Sequence, residues 1–96
     1  MNREEALRRL AAQRATLSAF NVESLAVFGS VARNEAKPDS DVDIVVEFKG
    51  PATFDGYMKL KTFLEEVLGH PVDLLTRRGI RPEIAPTIER EAVYVA

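Results

Sequence analysis

Residues 41–48, Asp-Val-Asp-Ile-Val-Val-Glu-Phe, alternate strictly. Val42, Ile44, Val46 and Phe48 fall on one side, and Asp41, Asp43, Val45 and Glu47 on the other. A period of two belongs to a β-strand, whose successive side chains point to opposite faces. The chain must therefore build a sheet around a strand that is apolar on one face and carries two carboxylates on the other.

The flanking segments supply the rest of the sheet and its cover. Ser24 to Phe28 is nearly all apolar and stops at Gly29, which suits a central strand buried on both faces. Val72 to Thr76 reads as a third strand, containing Asp73, and Ala92 to Val95 as a last one. Residues 3–20 predict one amphipathic helix, with Ala6, Leu7, Leu10, Leu17 and Phe20 on a single stripe and Asn2-Arg3-Glu4-Glu5 in the form of a capping box. Ser30 to Asn34 predicts a helix of one or two turns, followed by a loop over 36–40. Phe54, Tyr57, Leu60, Leu64, Val67 and Leu68 mark a second amphipathic helix, with Gly69 placed to end it. Its aromatic residues Phe54, Tyr57 and Phe63 are expected to pack in the core, and Arg77 and Arg78 to lie in a solvated loop. Ile84 and Ile88 predict a final helix beginning at Pro82 or Pro86, because proline suits a first helical position. The expected architecture is α/β (α+β): one domain over residues 1–96, a small mixed sheet of three to four strands with helices packed on it.

Composition removes several chemistries. With no cysteine, disulfides, thiolate metal sites and cysteine nucleophiles are excluded, and the single histidine, His70, excludes any site needing two imidazoles. His70 precedes Pro71 and reads as a turn residue. The net charge of −2 is a poor footprint for a protein living on a nucleic-acid backbone, so no stable nucleic-acid binding is expected. No apolar run approaches the roughly 20 residues of a membrane span, and Met1 leads into a charged helix rather than a signal peptide. A cytoplasmic location without membrane attachment is expected. The charge is uneven: between Asp41 and Leu75 seven acids stand against three lysines. Such a stretch is either a solvated face or a cation site.

Position favours the cation site. Asp41 and Asp43, at i and i+2 of a strand, project from one face about 6.5–7 Å apart along the backbone. A third carboxylate, Asp73 on another strand, would complete an all-oxygen cluster suited to Mg²⁺ or Mn²⁺. Gly29 ends a strand and Ser30 opens a helix, so backbone N–H groups there point outward with the helix dipole behind them, an arrangement that suits phosphates. Phosphate grip and cation grip together describe metal-assisted phosphoryl or nucleotidyl transfer. No Gly-x-x-x-x-Gly-Lys or Gly-x-Gly-x-x-Gly loop and no nucleophile-elbow pattern offers a rival site.

Phe28-Gly29-Ser30-Val31-Ala32-Arg33, followed by Ser40-Asp41-Val42-Asp43-Ile44-Val45-Val46 and by Val72-Asp73-Leu74-Leu75, resembles the minimal nucleotidyltransferases of the DNA polymerase beta-type nucleotidyltransferase superfamily. The closing Ile88-Glu89-Arg90-Glu91-Ala92-Val93-Tyr94-Val95 is similar to the end of that family, so the likeness spans nearly the whole chain. Asn34 departs from it, standing where many relatives have glycine. The resemblance implies the nucleotidyltransferase fold and a reaction in which an acceptor hydroxyl attacks the α-phosphate of a nucleoside triphosphate and pyrophosphate leaves. It implies that Asp41 and Asp43 hold two Mg²⁺ ions, with Asp73 on the ion nearer the acceptor and able to take the acceptor's proton. Gly29 and Ser30 would bind the β- or γ-phosphate, and Arg33 would neutralise triphosphate charge or pair with an acid such as Glu35. The larger members' acceptor-binding domain has no counterpart here, so the acceptor site is expected to be shared with a partner. By resemblance that partner is a HEPN-domain toxin, and the activity is transfer of AMP from ATP to a toxin tyrosine by the antitoxin of the pair. The alternative is a non-catalytic antitoxin that neutralises a HEPN partner by stoichiometric contact.

Overall fold

The computed structural model describes residues 1–96. Its strands are β1 (Val22–Phe28), β2 (Val42–Phe48), β3 (Val72–Thr76) and β4 (Val93–Tyr94). They form one mixed sheet in the order β3-β2-β1-β4. The helices are α1 (Arg3–Ala11), α2 (Arg14–Ala19), α3 (Gly29–Ala32), α4 (Phe54–Leu68) and α5 (Ala85–Glu91). β1 runs antiparallel to both β2 and β4, whereas β2 and β3 are parallel. Parallel neighbours need a crossover, and α4 provides it.

The two sheet faces are covered unequally. Leu25 and Val27 of β1, Val42, Ile44 and Val46 of β2, and Val72 and Leu74 of β3 face one continuous core with Ala6, Leu10, Leu17, Leu60, Leu64 and Leu68 from α1, α2 and α4. On the opposite face a smaller cluster joins Ala26 and Val45 to Ile88 of α5. α5 therefore covers the middle of that face. In the next row along, Phe28–Asp43–Asp73, Phe28 packs against this cluster and the two aspartates stand outside it.

Local signals account for most boundaries. Asn2 Oδ1 accepts the Glu5 N–H at 2.8 Å, capping α1, but the Glu5 side chain pairs with Arg9 instead of closing the box. Thr53 caps α4 through the Gly56 N–H, and Gly69 ends it with φ +70, a conformation open to glycine. Arg9 reaches across from α1 to donate to the Leu68 carbonyl at 3.0 Å, satisfying one of the carbonyls left open at the α4 terminus. Asn34 adopts φ +60, one of the few non-glycine types that tolerates this region, and its Oδ1 accepts the Arg3 N–H.

Several expectations need correcting. The helix over 3–20 is two helices, broken at Ala12 and Gln13, and no residue there signals the stop. Leu10 and Leu17, seven residues apart, still face one core, so the break leaves the apolar stripe intact. β1 begins two residues earlier than predicted, after Asn21 turns the chain with φ +61, and Asp41 lies just before β2. β4 holds only two residues, whereas α5 begins as expected at the second of its two candidate starts, with Pro86 in its first turn. Phe54 is not a core residue: at the first position of α4 it is 80% exposed, while Tyr57 and Phe63 pack at the core margin. Arg77 is partly exposed but not free in a loop. It sits in a 3-10 turn (Arg77–Gly79), paired with Glu89 and lying over the Tyr94 ring.

Leu64 is fully buried in the larger core. Leu64→Ala is expected to cost about 2–5 kcal/mol, read by denaturant unfolding, through lost transfer energy and an unfilled cavity.

Candidate functional site

In the parallel register Asp43 of β2 stands opposite Asp73 of β3, and on its other side opposite Phe28, the last residue of β1. Asp41, one residue before β2, is two residues upstream of Asp43. Asp43 is half-buried, whereas Asp41 and Asp73 are exposed, so the row opens to solvent at the sheet edge. Burial pushes the Asp43 carboxyl up from about 3.8 to about 6, helped by the negative charges of Asp73 and Asp41 and opposed by Arg33.

Asp41 and Asp73 thus both act on Asp43, yet no three acidic side chains are gathered into a ready-made ligand set. The donor set itself fits a divalent cation: it is all carboxylate oxygen, the preference of Mg²⁺ and Mn²⁺. A cation would also relieve the repulsion that raises Asp43.

The glycine corner is built against the same carboxylate. Gly29 has φ +71, and a Cβ placed there would lie 2.2 Å from Asp43 Oδ2, so both backbone conformation and space demand glycine. From Gly29 the chain enters α3, where Val31 and Ala32 are buried and Ser30 is half-buried. Arg33 follows at the C-terminal cap and donates to Glu35 at 2.9 Å and Glu91 at 2.8 Å. The Glu91 bond, followed by that to Glu35, holds Arg33 above its ordinary value, so it stays a cation. The fold therefore brings Asp41, Asp43, Asp73, Gly29, Ser30 and Arg33 to one end of β1, β2 and β3. His70 sits in the bend before β3, as expected.

Glu91 was missed as a site residue. Its Oε1 accepts the Gly29 N–H at 3.2 Å while Oε2 accepts from Arg33, and its charge adds to the repulsion on Asp43. One signal was available. An acid as the last residue of a helix opposes the helix dipole, which suggests a placement made for another reason.

The raised Asp43 carboxyl has a definite sign in stability. The protonated form is favoured by folding and the ionised form opposes it, so the penalty is absent below about pH 4, grows between about 4 and 6, and is complete above. Asp43→Asn in the metal-free protein is expected to add on the order of 1 kcal/mol at pH 7.5 after allowing for solvent screening. That corresponds to a rise of about 4–8 °C in melting temperature, vanishing at pH 4. Gly29→Ala is expected to lower stability by about 1–3 kcal/mol and to displace Asp43, visible as a shift of the Asp43 side-chain carboxyl resonance.

Comparisons with known proteins agree with this architecture. A family model described as a nucleotidyltransferase domain matches residues 7–95. The protein adenylyltransferase MntA of Thermococcus cleftensis is 45% identical over 76 residues, covering 79% of this chain and 77% of that one. A solved structure described as a minimal nucleotidyltransferase superposes with a TM-score of 0.84 at 36% identity, over 97% of this chain and 95% of that one. A chain in the solved complex of tri-AMPylated Shewanella oneidensis HEPN toxin with MNT antitoxin superposes at 0.68 with 16% identity, over 94% of this chain and 71% of that one, a likeness of fold alone. No helix is long and apolar enough to cross a membrane. By its matched length, its relatives and its sheet, the chain belongs to the nucleotidyltransferase domain family, as a minimal nucleotidyltransferase.

Proposed function

We propose that this nucleotidyltransferase moves AMP from ATP to a hydroxyl on a protein partner, a tyrosine of a HEPN toxin, as the antitoxin of a toxin–antitoxin pair. The observation that supports this most is the register of Asp43 opposite Asp73, with Asp41 two residues away and the Gly29 corner packed against Asp43. The acceptor is inferred from relatives, since a protein adenylyltransferase and a HEPN–MNT complex are among them. The open edge of the site is compatible with an acceptor carried on another macromolecule.

Asp41, Asp43 and Asp73 would hold two Mg²⁺ ions, with Mn²⁺ as a substitute. When bound, such ions neutralise charge on the entering and leaving oxygens of an in-line displacement. The chain's own groups do the rest. Gly29 and Ser30 bind the β- or γ-phosphate and orient the triphosphate. Arg33 offsets its negative charge. The acceptor oxygen forms a bond to the α-phosphorus as the bond to the bridging oxygen breaks, and pyrophosphate departs with that electron pair. The hydroxyl proton passes to the exposed Asp73 carboxylate, directly or through water.

Incubation of the chain with a HEPN-domain partner, Mg²⁺ and α-labelled ATP should label the partner, with loss of label when its acceptor tyrosine is changed to phenylalanine. Asp43→Asn is expected to reduce transfer by at least about 10³-fold while the domain stays folded. An Asp43→Asn chain that still silences the toxin without ATP would instead establish stoichiometric neutralisation.

A further inference from the structure

We infer that Glu91 is a built-in competitor for the nucleotide, its carboxylate occupying the Gly29 N–H and the Arg33 guanidinium until a phosphate displaces it. The inference rests on the nucleotidyl-transfer reading above, because Gly29 and Arg33 are two of the residues assigned there to the triphosphate.

The geometry is that of a bound anion. One carboxylate oxygen of Glu91 lies 3.2 Å from the Gly29 nitrogen and the other 2.8 Å from an Arg33 nitrogen. A backbone N–H beside a guanidinium is a pairing that also serves phosphate oxygens. The Glu91 side chain is only 21% exposed, less than half the exposure of Arg33. It is also delivered by a fixed element: Ile88, one turn earlier in α5, is buried against Ala26 and Val45, and Ala92 packs against the same cluster. Held there, Glu91 opposes the dipole of its own helix and adds negative charge beside Asp43. Those electrostatic costs are offset by its bonds to Arg33 and Gly29. A triphosphate entering the corner meets these donors already taken and a like charge beside them, so its affinity is held below what the corner would otherwise give.

The consequence extends past the site. Glu91 ends α5 and is two residues from Val93, which pairs with Val27 at the sheet edge. Displacing the carboxylate therefore acts on the joint between α5 and β4.

Calorimetric titration of the full chain with ATP in excess Mg²⁺ tests the inference, with thermal unfolding to confirm that each variant is folded. Glu91→Gln keeps the size and an acceptor for Gly29 but loses the charge that holds Arg33. Glu91→Asp keeps the charge but is one methylene too short to span both donors. Both are expected to bind Mg·ATP about 3–10-fold more tightly than the parent. Glu89→Gln removes the same charge from the same helix, away from the corner and beside Arg77, and should leave affinity unchanged. Folded Glu91 variants that bind no more tightly than the parent, or a Glu89→Gln chain that tightens equally, would overturn the inference while leaving the nucleotidyl-transfer reading intact. A folded parent that fails to bind Mg·ATP would remove that reading and this inference with it.

Discussion

The repulsion between Asp43 and Asp73 is the constraint around which the rest of this small domain is organised. Two parallel strands in register cannot avoid setting these carboxylates opposite each other. Partial burial of Asp43 is the larger obstacle to its ionisation, and the charge of Asp73 adds to it. A domain of this size has little stability to spare. It tolerates the arrangement because the opposite sheet face carries an uninterrupted apolar core with α1, α2 and α4. Segregation by face lets one side of a seven-residue strand lie wholly in the larger core, while the other packs only Val45 and leaves Asp43 at the open end.

Gly29 and Arg33 belong to the same arrangement. A side chain at Gly29 would occupy the space of the Asp43 carboxylate, so the corner and the acidic row are one steric unit. Arg33 is the cation that opposes the raised Asp43 value, and it is itself divided between Glu35 and Glu91. The polar end of the sheet is thus a balance of one guanidinium against several carboxylates, with the excess of negative charge on the side open to solvent.

How much of this was legible depended on the range of the forces involved. Alternation along 41–48 marked both faces of β2, because period two is a local property of the strand. Gly69 and Asn2 announced their helix ends through backbone geometry and capping chemistry, which are local as well. The break at Ala12–Gln13 carried no such mark, since alanine and glutamine are good helix formers. Phe54 fits the helical period yet stands at the first turn of α4, where the helix overhangs the core. Among the site residues, the aspartates and Gly29–Ser30 were legible because their spacing is tied to strand and turn geometry. Glu91 was not, because it meets Arg33 across 58 positions of sequence through the packing of α5.

The crossover through α4 has a consequence for how the site comes into being. Asp41 and Asp43 share one strand, and the glycine corner is joined to that strand by a short loop, so these parts assemble through a β1–β2 pairing near in sequence. Asp73 joins only after fifteen residues of α4 have closed the parallel connection, an entropically slower event. Glu91 arrives later along the chain again, with α5. A nascent or partly unfolded molecule can therefore hold the corner between Gly29 and Asp43 in outline while lacking both Asp73 and Glu91, and the full polar arrangement is a property of the completed topology alone.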